Sequence, residues 1–421
     1  MVFDEASVGS FSMPDPVYVN DISDYLRDKW FNDYSGIEVE RNELAFLLAA
    51  ADAILAPGEN FEGMDFAIDN IFDSEVQKTV LRSTVFSETI IEKIYEQDGS
   101  TVFIPINDLS FNALNDKSDR YPWFNQYSGD VVTHYGEIAK MLDATDVILG
   151  GSGTFDTMSF DINVLFDQAK KETVLQSLVL SETIVEKVFA NPTAITDVPT
   201  LDLQGRPLTD NTNRLGWYNH YDSGVLTETN EIDRFLTAIE LIVGGDDFET
   251  LGEITVDGIL TLTFDLSYDA NLELISSDVA TLVDSVVLEH IIAPLVNDVA
   301  TTIMVDYLTV PSGGYHWLKK DLITGFNPST FDEAIYDLQG FLESLYLMNE
   351  SGIDYHNLGA TNLFALDNET IENLSQAMVV SRTYKGSIEK MFNTMLEPLY
   401  LSLPPIHPID FTPIKPWDDV R

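Results

Sequence analysis

The chain has 421 residues, 45% of them hydrophobic, no cysteine, and 70 Asp and Glu against 22 Lys and Arg, for a formal net charge of −48. Disulfides, thiolate catalysis and zinc-thiolate sites are thereby excluded, and so acidic a surface repels nucleic acid and anionic membrane. The strongest apolar run, Leu44 to Ala56, is broken by Asp52 and falls short of a membrane span, so no membrane insertion is expected; Met1-Val-Phe-Asp-Glu-Ala6 has neither the basic start nor the apolar run of a signal peptide.

Five tryptophans, Trp30, Trp123, Trp217, Trp317 and Trp417, stand 93, 94, 100 and 100 residues apart and set a repeating frame. Residues 1–29 resemble the tail of a unit, 30–122, 123–216, 217–316 and 317–416 form four units, and 417–421 begin another. The first three units open alike, on Trp30-Phe-Asn-Asp-Tyr34-Ser-Gly36, Trp123-Phe-Asn-Gln-Tyr127-Ser-Gly129 and Trp217-Tyr-Asn-His-Tyr221-Asp-Ser-Gly224. An amphipathic helix is predicted after each opening: Glu43 to Leu55, Gly136 to Leu149, Asn230 to Val243 and Asp337 to Met348. In the second, Ile138, Met141, Leu142, Val147 and Ile148 fall largely on one face, and Leu338, Phe341, Leu342, Leu347 and Met348 reproduce them at an offset of 200.

Further along, residues 61–93 align without a gap on 155–187, about half the positions being identical. Phe155, Met158, Phe160 and Ile162 fit a short strand or a helical turn, after a linker turn at Gly150-Gly-Ser-Gly153. Residues 74–95 and 168–189 read as a helix with a break near Ser83 to Ser87, where the apolar positions leave a 3.6 period. Connections rich in Pro, Asp and Asn, such as Asp197 to Gly216, are long enough to hold a hairpin or lie against the next unit. In the third unit Ile254 to Phe264 alternates about a turn and predicts a hairpin, and Ser285 to Ile292 stands where the Ser83 run stood. The fourth has capping-box spacing at Thr330-Phe-Asp-Glu333 and keeps Ser381-Arg-Thr383 and Ile388-Glu-Lys390. The expected fold is mainly α, a tandem array of helical units of 94–100 residues with short strands or hairpins in the connections.

The candidate site residues are the recurring aromatics. Trp30, Trp123, Trp217, Trp317 and Trp417, with Tyr34, Tyr127 and Tyr221, read as packing anchors at the joints between units, because aromatic side chains bury large areas; sugar stacking is the other reading. Ser87-Glu88-Thr89 recurs as Ser181-Glu182-Thr183, which fits a helix break or cap better than a nucleophile and its base. Gly150 to Gly153 lacks the Lys of a phosphate loop, and the 6 histidines form neither His-Glu-x-x-His nor a close pair, so no catalytic residue and no transition-metal site is indicated. The dispersed acidity reads either as a solvated coat or as calcium sites bracing the joints. Asn115-Asp-Lys-Ser-Asp119 and Asp210-Asn-Thr-Asn213 fit irregular calcium sites without completing an EF-hand loop, and no other cofactor is called for.

One order of features recurs: Gly-Glu-Ile on an apolar helix, an Asp- and Phe-rich segment, Leu-x-Ser-x-Val-x-Ser-Glu-Thr-Ile, an Ile-Pro or Val-Pro connection, then Trp. It resembles repeat regions of very long surface proteins of low-GC bacteria. The resemblance implies an exported, filamentous or stalk-like repeat with a structural or adhesive role and no active site to carry over. The expected function is thus a structural segment of an extracellular stalk, fibre or filament at a bacterial cell surface, partnered by neighbouring repeats or by copies of itself head to tail. The chain starts and stops at almost the same point of the cycle, as would a window on a longer array or a subunit whose ends complete its neighbours'. Two alternatives stand beside it. One is a calcium-braced adhesin or glycan-binding module holding a surface glycan or protein in Gly244 to Leu274 and Ala300 to Tyr315; the other is a polysaccharide hydrolase, whose two acids need proximity in space alone.

Overall fold

A computed structural model describes residues 33–34, 38–40, 42–55, 66–117, 120–151, 154–155, 158, 160–190, 198–202, 204–210, 212–222, 224–243, 255–260, 266–268, 274–292, 295 and 337–350. The fold is mainly helical, with small antiparallel hairpins. Met1–Ile254 with Ala280–Ile291 make one compact unit, and Thr255–Val279 with Ile292–Arg421 a second.

The first unit opens on a hairpin, β1 (Asp33–Tyr34) and β2 (Glu38–Glu40), and then α1 (Glu43–Ile54). Leucine and alanine make α1 a strong helix former, and Leu47, Ala50 and Ala51 turn inward at helical spacing. After a 3-10 turn at Ile68–Ile71 come α2 (Ser74–Val80) and α3 (Thr84–Glu96), both packed on α1. Each starts on a capping side chain. Asp73 accepts from the Glu75 and Val76 amides, and Ser83 Oγ from the Phe86 amide, which satisfies donors that a helix start leaves free. The predicted break therefore falls at Leu81 to Ser83, ahead of Ser87.

The same order follows the next Trp frame. Hairpin β3 (Gln126–Ser128) and β4 (Val131–His134) leads to α4 (Glu137–Leu149), and α4 packs on α5 (Gln168–Val174) and α6 (Leu178–Ala190). Asp167 caps α5 as Asp73 caps α2, and Ser177 starts α6 as Ser83 starts α3. The undecided stretch around Ile162 is a 3-10 turn, Ile162–Phe166. Beyond the third frame lie β5 (His220–Asp222), β6 (Val225–Glu228) and α7 (Glu231–Val243), with a further helix at 286–292. Hairpins β3–β4 and β5–β6 share one register, Tyr127 opposite Val132 and Tyr221 opposite Leu226, with an irregularity one residue earlier in both. The sequence reading placed no hairpin directly after the Trp frame. Its Ser-Gly pair was the available signal, for Gly129 and Gly224 sit at φ +61 and +81 in the two turns.

The second unit holds α8 (Val256–Leu260), a hairpin of β7 (Leu266–Tyr268) and β8 (Leu274–Ser277), and, after α9 (Asp278–Leu282) in chain order, α10 (Asp337–Glu350). Leu338, Leu342, Leu345 and Met348 form the buried face of α10, and Asn349 Nδ2 donates to the Leu260 carbonyl at 3.0 Å. The hairpin expected over Ile254 to Phe264 is corrected here, since residues 256–260 are helical. Thr255 Oγ1 takes the Gly258 amide and starts a helical turn, which buries Val256, Ile259 and Leu260 at helical spacing. Alternation around one Gly was the wrong period to read. No helix among the described residues is long and apolar enough to cross a membrane.

Gly136, just ahead of α4, sits under the backbone of the Trp frame. A Cβ there would lie 2.3 Å from the Trp123 carbonyl oxygen and 2.4 Å from the Phe124 carbonyl carbon, and neither atom can rotate away. Gly136→Ala is expected to cost about 3 kcal/mol, measured as a lowered urea midpoint at unchanged slope. An unshifted midpoint would contradict this close approach.

Candidate functional site

The side chains that recur most faithfully surround Trp123 and Trp217. Both rings are fully buried, and each indole Nε1 donates to a carbonyl nine residues earlier: Trp123 to Leu114 at 3.0 Å, Trp217 to Leu208 at 2.9 Å. Each ring meets an aromatic from the preceding helix, Tyr95 of α3 or Phe189 of α6, with centroids 5.9 Å apart in both cases. Three residues before each Trp stands a buried arginine. Arg120 pairs with Glu88 and Glu92 of α3, and Arg214 pairs with Glu182 at 2.9 Å and Glu186 at 2.6 Å, both on α6. The guanidinium also lies over the same aromatic, 5.6 Å from the Tyr95 centroid or 5.0 Å from that of Phe189. A helix, a connection and the following Trp frame are thereby locked by one stack.

The two stacks differ in two residues, the first being Tyr95 against Phe189. Tyr218 hydroxyl donates to Glu182, where the first stack has Phe124 in the corresponding place. Burial pushes the Glu182 carboxyl up, opposed by Arg214 and by the Tyr218 hydrogen bond, and burial drives the Tyr218 phenol well above its usual range.

A second recurring contact ties helix starts together. Glu43, in the first turn of α1, takes Ser83 Oγ at 2.7 Å and the Thr84 and Val85 amides at 2.9 and 3.1 Å. Glu137 of α4 takes Ser177 Oγ at 2.7 Å and the Val179 amide at 3.0 Å. Glu231 of α7 takes Ser285 Oγ at 2.6 Å and the Val286 and Val287 amides at 3.2 and 2.9 Å. A carboxylate is a fitting occupant, since the start of a helix carries partial positive charge and free N–H groups. The sequence reading passed over these glutamates. The signal was a Glu at each helix start with a Ser 40 residues on, lengthened to 54 in the third instance.

The remaining predicted residues are placed as follows. Tyr127 and Tyr221 are half-buried on β3 and β5, their hydroxyls facing the Asn125 and Asn219 amides, and Arg82 lies 5.3 Å over the Tyr127 ring. Tyr34 lies on β1. Trp30, Trp317 and Trp417 lie outside the described residues, as does the segment 300–315. Zero exposure of Trp123 and Trp217 leaves neither ring face open to a sugar. Ser87-Glu88-Thr89 corrects an expectation, because the triplet lies inside α3 and neither breaks nor caps it. Glu88 is spent on Arg120, and Thr89 Oγ1 on the Val85 carbonyl; the cap is Ser83. Of the calcium candidates, Asp210 Oδ1 accepts from both the amide and the hydroxyl of Thr212, and Arg120 Nε donates to the Lys117 carbonyl. Among the described residues no group of three or more His, Cys, Asp or Glu is arranged to hold a metal ion. No protein-family model, no curated protein and no solved structure matches the chain.

The buried glutamates give the fold a pH dependence. Burial pushes the Glu231 carboxyl up to about 7 from its ordinary 4.5, against the pull of Ser285, the two amides and Arg234. The folded chain thus holds this proton more tightly than the unfolded chain. Its stabilising effect is complete below pH 4.5 and is lost as pH rises through about 7. Between those limits wild type should lose roughly 3 kcal/mol more than Glu231→Gln, read from urea unfolding at a series of pH values. Parallel pH profiles for the two proteins would contradict the assignment.

Proposed function

We propose that the chain is a structural segment of an extracellular stalk, fibre or filament at a bacterial cell surface, built as a tandem array of helical units of about 94–100 residues. The observation that carries this reading is the Trp stack made twice. Leu114, Arg120 and Trp123 find their counterparts 94 residues on in Leu208, Arg214 and Trp217, and Glu88, Glu92 and Tyr95 find theirs in Glu182, Glu186 and Phe189. Each stack draws on the end of one proposed unit and the start of the next, which is what an array needs of its joints. Trp30, Trp317 and Trp417 extend the series on sequence spacing.

The role is mechanical and not catalytic. The buried charged groups at the joints are engaged by one another, by hydroxyls and by helix starts, so their chemistry goes into holding the chain. A net charge of −48 keeps a long molecule hydrated and discourages lateral association. Its partners in this reading are neighbouring repeats or further copies joined head to tail. The order of motifs, similar to repeat regions of very long surface proteins of low-GC bacteria, supports the same location.

Electron microscopy of the purified chain, with calcium and with chelator at matched ionic strength, tests the proposal. Rods of constant width are expected in both conditions. Rounded particles with no long axis would contradict it, and rods that slacken only in chelator would make calcium part of the joint.

A further inference from the structure

The side chains that cross from one proposed repeat to the next differ between the two joints. At the first, Gln77 of α2 is buried and its Nε2 donates to Asp143 Oδ1 of α4 at 2.9 Å. The counterpart of Gln77, 94 residues on, is Lys171 of α5, and the counterpart of Asp143 is Thr237 of α7. Lys171 is buried too. Its Nζ donates to Thr237 Oγ1 at 2.7 Å and lies 2.9 Å from Asp233 Oδ1, one turn earlier on α7. Asn219 Nδ2 donates to the other oxygen of Asp233 at 3.0 Å. In the place of Asp233 the second repeat has Ala139, which brings no charge.

A second difference runs the other way. Arg82, in the turn between α2 and α3, donates through Nη2 to the Gly129 carbonyl at 3.0 Å and to Asp130 Oδ1 at 2.7 Å in the β3–β4 turn, with its guanidinium over Phe46 and Tyr127. Its counterpart Gln176 turns back to the Glu172 carbonyl at 3.3 Å, and the counterpart of Asp130 is Gly224. Acid and base therefore change together. Arg82 comes with Asp130 and Lys171 with Asp233, while Gln176 comes with Gly224 and Gln77 with Ala139. Were the first repeat to dock on the third, Arg82 would meet Gly224 and Asp233 would meet Gln77. The loss at Arg82 costs little, because Asp130 is exposed. The loss at Asp233 strands a carboxylate at a site whose side chain is only 13% exposed. Repeats as alike as these are prone to docking out of order as they fold, and a charge left unpaired in the wrong pairing guards against it.

We propose that the α7 face bearing Asp233 and Thr237 selects its neighbour, accepting a repeat that offers a lysine at position 171 and rejecting one that offers glutamine there, as the first repeat would with Gln77. The inference rests on the division into repeats proposed above. Urea unfolding of full-length variants tests it. Lys171→Gln gives the second joint the first joint's donor, and should lower the ratio of folded to unfolded chain about a hundredfold. Adding Asp233→Ala and Thr237→Asp supplies the rest of the first joint's set, and should recover about tenfold of that loss or more. Gln77→Lys, whose ammonium meets Asp143, should stay within about threefold of wild type. The proposal is overturned if Lys171→Gln unfolds like wild type, if the triple variant is no more stable than Lys171→Gln, or if Gln77→Lys loses as much as Lys171→Gln. The shape of the wild-type chain by electron microscopy tests the array separately, so the two readings fail independently.

Discussion

Arg120 and Arg214 each carry a full charge into an interior that tolerates one only in company. The company is specific: two glutamates a helical turn apart on the preceding helix, and an aromatic ring one turn further on. Removing a partner from such a group strands a buried charge and typically costs about 3–5 kcal/mol, whereas the intact pair adds little net stability over an apolar replacement. The arrangement therefore acts through geometry more than through energy. It dictates where the chain must return after α3 and α6, and that return delivers Trp123 and Trp217 to the Leu114 and Leu208 carbonyls. Hairpin and following helix then start from a fixed point.

The glutamates at the starts of α1, α4 and α7 supply the second constraint. Each bonds the start of a helix further along the chain, so one carboxylate sets the angle between two helices that share a core. Glu137 and Glu231 are fully buried, and burial raises both carboxyls, so these helix pairs and the charged surface respond to acid in the same direction. As pH falls from neutral, surface repulsion within a chain at −48 weakens while the buried carboxyls regain their protons. Both effects favour the folded chain in mild acid.

Much of this organisation could be read from the residues, and the parts that could not have physical reasons. Helices α1, α4, α7 and α10 were legible because leucines and isoleucines repeat at 3.6-residue spacing over three turns or more. The break ahead of α3 and α6 was legible as a lost period, though its cap was assigned to Ser87-Glu-Thr in place of Ser83. Hairpin β3–β4 was missed because Val131 and its neighbours face solvent, leaving no buried stripe to announce a strand. The region at Val256–Leu260 was misread because five residues around Gly258 satisfy either period until Thr255 caps them. Trp123 and Trp217 could be picked out by spacing alone, but Arg120, Glu88 and Glu137 could not. Long-range ion pairs leave no periodic trace, and in a chain with 70 acidic residues no single carboxylate stands out.

If one joint fixes both its neighbours, damage to the Trp must be felt on each side of it. Native-state hydrogen exchange on Trp123→Ala measures this directly, because amide protection in α3 and in α4 reports the opening free energy of each helix separately. The account predicts that both lose protection together, by about 3–5 kcal/mol as expected for truncating a buried aromatic. Loss confined to the turn at Tyr121–Trp123, with α3 and α4 protected as before, would contradict it.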